Sequence, residues 1–145
     1  MTTTTLKSCL SRVDMWRELP RLAEVAHAHI GRHPGLVVAS VEVFTTDLGP
    51  GRVVVHVPGD LALACTRLLA WRDTLTRASS CLEIEADPQQ PKAMIFGRLY
   101  EGTPATVVAP LAEEHVVGVE RSEVGDRAMV WLRARAERVV SAARE

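Results

Sequence analysis

Three histidines lie close together in the sequence, at positions 27, 29 and 33. His29 and His33 are four residues apart, and on a helix this spacing places two imidazoles on one side, as in helical zinc sites. His27 falls outside that face, and no Glu follows His29 as in helical zinc proteases. Gly31 and Pro34 indicate that the helix ends before His33. Two interpretations stay open: a metal-dependent enzyme using all three histidines, or imidazoles that bind free carbonyl groups at a helix C-terminus.

The second group of residues that could carry chemistry is a basic stripe near the C-terminus that includes one aromatic residue. Its members follow helical spacing and are Arg127, Trp131, Arg135 and Arg138. Trp and Arg are enriched at the hot spots of protein interfaces, which predicts an interaction surface. The same residue types can bind phosphates and stack on bases, so nucleic-acid binding is an alternative. A solvated helix face, with Trp131 packed against the sheet, is the simplest interpretation.

Sequence patterns typical of enzymes are missing elsewhere. The chain contains no G-x-S-x-G, G-x-G-x-x-G or Walker A pattern, and no cysteine stands beside a histidine. Glu83 and Glu85 could act as paired acids, but a solvated sheet face explains them equally well. His115 lies beside Glu113 and Glu114, where a polar connector accounts for the charges. We therefore expect no cofactor and a non-enzymatic function.

Composition limits the class of protein. The chain has 145 residues, of which 47% are apolar, and its net charge is −1. This length suits one domain with a full core, and the charge balance argues against general nucleic-acid binding. Its three cysteines are widely spaced and odd in number, which favours reduced thiols. With no signal peptide pattern and no membrane-length apolar run, we expect a cytoplasmic protein.

Hydrophobic periodicity predicts an α+β fold in which helices position these residues. Helices are expected at about 15–31, 61–77 and 122–143, and strands at 36–45, 52–58 and 81–86 and on both sides of a hairpin at 93–109. The order α-ββ-α-βββ-α implies a mainly antiparallel sheet of about five strands. Residues 1–12 are predicted to form a flexible tail and 13–145 a single domain. Residues 111–121 are compatible with either a helix or a strand.

The hairpin at 93–109 is the clearest local signal. Gly102 can adopt the positive φ that a tight reversal needs, and a tip at Glu101 and Gly102 predicts that Phe96 lies opposite Val107. Apolar residues occupy both sides of its strands, which indicates that both sheet faces are covered. Three helices would not suffice for this, so the pattern predicts a homodimer.

Two segments resemble a group of known proteins. These are Leu69-Ala-Trp-Arg-Asp-Thr-Leu75 and Gly97-Arg-Leu-Tyr-Glu-Gly-Thr-Pro-Ala-Thr-Val107. They are similar to small uncharacterised α+β proteins of actinobacteria, over about residues 61–109. That family has no established activity, so the resemblance implies no catalytic residue. The element order is also similar to that of secretion-chaperone-like dimers, whose first sheet half has three strands instead of two. The leading hypothesis is a non-enzymatic homodimer that binds or regulates another protein.

Overall fold

The computed structural model describes residues 12–45, 51–84 and 90–144, with side chains described from residue 16 to residue 136 within those ranges. The predicted tail at 1–12 lies outside these residues, except for Arg12, which begins the first helix. None of the described helices combines the length and the apolar character that crossing a membrane requires.

The described residues form helices and a mostly antiparallel sheet, which confirms the predicted α+β fold class. The helices are α1 (Arg12–Arg32), α2 (Leu61–Arg72) and α3 (Asp126–Arg144). The strands are β1 (Ser40–Phe44), β2 (Arg52–His56), β3 (Thr76–Glu83), β4 (Lys92–Arg98), β5 (Pro104–Pro110) and β6 (Glu123–Val124). The described residues thus contain six strands, one more than expected.

The strands form one sheet in the order β1-β2-β5-β4-β3-β6. Four of the neighbouring pairs are antiparallel, as predicted, but β2 and β5 run parallel, with Val55 opposite Val107. The chain reaches β5 only after α2, β3 and β4, so this pair joins two hairpin units in the middle of the sheet. Local hairpin signals could not predict the pair, because it depends on where the second unit docks.

Several element boundaries differ from the prediction. Helix α2 ends at Arg72 and not near residue 77, because the Thr74 hydroxyl donates a hydrogen bond to the Trp71 carbonyl (2.7 Å) and the chain enters β3 at Thr76. At the start of α2, the Asp60 carboxylate accepts from the Leu63 N–H (3.0 Å), as expected for an N-cap. The ambiguous segment at 111–121 contains a short 3-10 helix at Glu113–Val116.

The hairpin between β4 and β5 has a register one residue away from the prediction. Phe96 lies opposite Thr106, not Val107, whose partner is Ile95. The Leu99 N–H donates to the Thr103 carbonyl (2.9 Å), so the connecting loop has three residues. Gly102 ends this loop with φ of +101°. A glycine in this conformation is typical of three-residue hairpin loops, and the predicted two-residue tip at Glu101 and Gly102 was therefore wrong.

All three helices bury the same face of the sheet. The buried strand residues on this face are Val53, Val55, Leu82, Ala93, Ile95, Ala105, Val107 and Ala109. The same cluster contains Leu22 of α1, Leu68 of α2 and Leu132 of α3. Burial of these side chains is the main favourable term in folding.

Alternate strand residues point to the opposite face, which we call the open sheet face and define by Val54, Met94, Phe96, Thr106 and Val108. Pairing places these residues side by side across β2, β5 and β4. Phe96 is 38% exposed and Val54 and Val108 are half-buried, whereas Met94 and Thr106 are buried, at 8% and 7% exposure. None of the five belongs to the apolar cluster under the helices. The expectation that both faces are covered, with a second copy of the chain supplying the second cover, stays a prediction.

Gly97 provides a test of the packing between the sheet and the end of α2. A Cβ atom at this position would lie 2.8 Å from the Leu75 Cβ, within the buried face. We expect Gly97→Ala to lower the free energy of unfolding by about 1–3 kcal/mol, because the core must shift to accept the methyl group. Urea denaturation measures this change. Gly35→Ala is the matched control, since nothing lies within 4 Å of its Cβ position. Equal stability of the two variants would contradict the described packing.

Candidate functional site

His29 joins α1 to the end of α2. Its side chain is 2% exposed, its Nε2 lies 2.9 Å from the Thr74 Oγ1, and its ring stacks on Trp71 with centroids 5.6 Å apart. The Thr74 hydroxyl already donates its proton to the Trp71 carbonyl, so the Thr74 oxygen accepts from His29. The imidazole therefore carries its proton on Nε2, and Nδ1 is buried without a partner.

The three predicted metal ligands do not share one environment. His33 lies next to His29, with ring centroids 4.9 Å apart, whereas His27 is exposed. No group of three or more His, Cys, Asp or Glu side chains in the described ranges could hold a metal ion. The Nε2 atom of His29 is engaged with Thr74, which leaves His29 as a packing residue between the helices.

Burial lowers the pKa of His29 below its usual value, and the nearby charges of His33 and Arg32 lower it further. The stacked, hydrogen-bonded imidazole is therefore neutral near pH 7. The unpartnered Nδ1 atom lacks a donor, and protonation would place a charge in the core beside Trp71. His29 thus supports the fold at neutral pH and opposes it under acidic conditions.

The predicted Arg/Trp stripe lies beside a groove of about 560 Å³. The groove separates residues 118–121 from the start of α3, and both Arg127 and Trp131 line it. The side chain of Arg127 is 83% exposed and its Nη1 is 3.9 Å from the Glu123 Oε1. Exposed ion pairs of this kind contribute little to stability, so Arg127 is available to a partner. We call this feature the Trp131 groove.

Trp131 is 8% exposed and forms part of the core, as the simplest interpretation of the stripe expected. The guanidinium of Arg135 lies 4.2 Å from the Trp131 ring centroid, a cation–π contact. Its indole Nε1 is buried without a hydrogen-bond partner. The side chain of Arg138 lies outside the described residues. The structure therefore brings Arg127, Trp131 and Arg135 together, but the ring is too enclosed for stacking on a base.

The remaining titratable groups have structural partners. The Nδ1 atom of His115 accepts from the Ala112 N–H (3.0 Å) and closes the 3-10 helix. His56 pairs with Glu42 across β1 and β2. Burial raises the pKa of the Cys65 thiol to about 11 and also raises that of Cys81, which keeps both thiols protonated and poorly nucleophilic. None of these residues forms a catalytic pair in the described part of the chain.

The open sheet face is the feature that the sequence interpretation missed as a site. Met94, which is buried, and Phe96, which is exposed, alternate with the buried Ala93 and Ile95 along β4, a pattern that indicated two apolar faces. The same pattern could not tell which face the helices would cover. Thr106 and Val108 continue the surface on β5, and Val54 continues it on β2. The exposed Phe96 makes this face a candidate interface.

His29 yields a prediction for the pH dependence of stability. Its pKa is lower in the folded protein than in the unfolded chain, so the unfolded state binds more protons between the two values. The free energy of unfolding should therefore fall as the pH drops below about 6.5. We expect His29→Phe to lower the free energy of unfolding by about 1 kcal/mol at pH 7.5, because the variant lacks the hydrogen bond to Thr74. On acidification, the free energy of unfolding of this variant should decline less than that of the unmodified protein.

Urea denaturation at several pH values between 7.5 and 5 measures both effects. The control variant, His27→Gln, removes an exposed imidazole from the same helix and should keep the slope of the unmodified protein. An unchanged slope in His29→Phe would contradict the role assigned to the buried imidazole.

Comparison with protein-family models, with curated proteins and with solved structures found no match to this chain. The resemblance to actinobacterial proteins over residues 61–109 therefore stays a prediction, and the function must be argued from the geometry of the chain itself.

Proposed function

We propose that this chain is a non-enzymatic protein-binding or regulatory domain that acts as a homodimer. The observation that supports this proposal is the open sheet face, which lies outside the core cluster and exposes Phe96, with Val54 and Val108 half-buried. Exposed apolar patches on soluble domains mark interaction sites. The free thiols of Cys65 and Cys81 fit a reducing cytoplasm.

The composition of the open sheet face supports self-association. Its centre is apolar, and polar pairs flank it: His56 with Glu42 on one side, and Lys92 Nζ with Glu83 Oε2 (3.7 Å) on the other. An apolar centre inside a polar rim is the usual anatomy of a protein interface. A second copy presents the same surface, and two sheets can pack face to face with their side chains interdigitated. A homodimer of this kind would cover the face that the helices leave open.

The Trp131 groove is the proposed site for a different protein. It lies at the β6 edge of the sheet, beside α3 and on the border of the helix layer, so a dimer formed through the open sheet face leaves it accessible. Arg121 and Arg127 line it together with Glu120 and Glu123, which suits a polypeptide of mixed charge.

Self-association through the open sheet face can be tested by placing a charge in its centre. We expect the unmodified chain to sediment as a dimer at micromolar concentration and Val108→Glu to sediment as a monomer. The carboxylate would lie unpaired inside an apolar interface, which is strongly unfavourable. Analytical ultracentrifugation measures the change.

The control for this variant is Val130→Glu, which places the same charge at an exposed position of α3 and should leave the dimer intact. Circular dichroism checks that both variants are folded. The proposal fails if the unmodified chain is monomeric, or if Val108→Glu remains dimeric while folded.

Partner binding through the Trp131 groove has a separate test. We expect Arg127→Ser to lose specific proteins that co-purify with the tagged chain, because the side chain of Arg127 lines the groove and is 83% exposed. Quantitative affinity mass spectrometry compares it with Arg133→Ser, which removes an exposed arginine of α3 that does not line the groove. Identical protein sets from the two variants would contradict a role of the groove in partner binding.

A further inference from the structure

Three arginines converge at one end of the open sheet face. Arg52, Arg77 and Arg98 line a shallow cavity of about 320 Å³ together with Phe96 and Thr106. None of the three was singled out by its sequence spacing, because they come from β2, β3 and β4. We call this feature the arginine cavity.

Strand pairing explains why these residues meet. Arg98 lies opposite Pro104, and the register of β2 with β5 places Arg52 on the other side of Pro104. Thr76 is opposite Arg98, so Arg77 follows on the neighbouring strand. Adjacent strands lie about 4.8 Å apart, which brings the three guanidinium groups to the rim of one cavity.

These arginines have no acidic partners among the described residues. No ion pair joins Arg52, Arg77 or Arg98 to a carboxylate of residues 12–45, 51–84 or 90–144. The Arg98 Nη1 donates a hydrogen bond to the Gly102 carbonyl (3.2 Å), an uncharged acceptor that leaves the positive charge of the guanidinium unbalanced. Three clustered guanidinium groups in a chain of net charge −1 form a local positive site. Their planar forks match the oxygens of phosphate and carboxylate groups in bidentate fashion.

The backbone at Arg77 is strained in a way that favours a functional role. Arg77 has φ of +51° and is the one non-glycine residue in the described part of the chain with a positive φ. The β3–β4 register shifts between Thr76 and Ser79, so Arg77 sits in an irregularity of the strand. Such irregularities redirect side chains, and strained residues cluster at ligand sites. Here the irregularity carries an arginine that lines the cavity.

Phe96 adds a second recognition element. Its ring is 38% exposed and lines the cavity next to the arginines, although an anion alone needs no aromatic neighbour. A planar base can stack on such a ring while phosphates bind the guanidinium groups. The cavity volume is at the lower end of the range for small-molecule sites. We propose that the arginine cavity binds a nucleotide, with its phosphates on Arg52, Arg77 and Arg98 and its base on Phe96.

Isothermal titration calorimetry at low salt tests this proposal with ATP, inorganic phosphate and adenosine, in the absence of metal. We expect ATP to bind, phosphate to bind at least tenfold more weakly, and adenosine not to bind. Arg52→Gln and Arg98→Gln should each weaken ATP binding at least tenfold, because each removes a charged fork from the phosphates. Phe96→Leu should weaken ATP binding about tenfold and leave phosphate binding unchanged.

Arg133→Gln is the control, since it removes an exposed arginine of α3 far from the cavity lining and should bind ATP like the unmodified chain. Arg77→Gly separates binding from folding. Glycine relieves the positive φ, so we expect the thermal midpoint to rise by about 2–4 °C while ATP affinity falls at least tenfold. An arginine with a purely structural role would not combine a higher thermal midpoint with a lower ATP affinity when it is replaced.

Several results would overturn the proposal. These are no ATP binding at low salt, equal affinity of Arg52→Gln and Arg133→Gln, or equal affinity of ATP and inorganic phosphate. Binding of a poly-glutamate peptide as tightly as ATP would overturn the preference for phosphate. The nucleotide proposal does not depend on the homodimer. Titration of Val108→Glu with ATP tests the arginine cavity in a variant that is expected to be monomeric. A monomeric chain that still binds ATP would contradict the proposed function and support the arginine cavity.

Discussion

One-sided burial of the sheet is the constraint on which the rest of the structure depends. All three helices contribute to one apolar cluster on the same face of the six strands, including Leu22, Leu68 and Leu132. Burial of apolar surface drives this arrangement, and every buried strand residue of the cluster faces it. The parallel contact of β2 with β5 holds the two hairpin units in one sheet. The opposite face of the sheet lies outside this cluster, because all three described helices pack on the same side.

The functional surfaces follow from this architecture. The open sheet face combines an apolar centre, a polar rim and an arginine-lined end, whereas the Trp131 groove lies at the β6 edge. The proposed dimer contact and the proposed partner site therefore involve different residues. Phe96 and Thr106 belong both to the open sheet face and to the lining of the arginine cavity.

The histidine cluster illustrates how spacing can suggest a site that packing uses differently. The i, i+4 relation of His29 and His33 does bring their rings together, 4.9 Å apart. Sequence reasoning could not foresee Thr74 and Trp71, which come from the end of another helix and engage His29. Trp131 behaves similarly, because its helical position was predicted but its enclosure by Arg135 and the sheet was not. In both cases the partner residues are distant in sequence.

The sequence by itself determined the α+β class, the three helices and the β4–β5 hairpin. Periodicity and turn residues act within a few positions of the chain, so such features can be recognised without a fold. Only the tertiary structure decided the parallel β2–β5 contact, the exact register of the hairpin, and the face of the sheet on which the helices pack. It also decided that Arg52, Arg77 and Arg98 share one cavity. These outcomes depend on long-range packing, in which residues far apart in sequence come into contact as they bury apolar surface together.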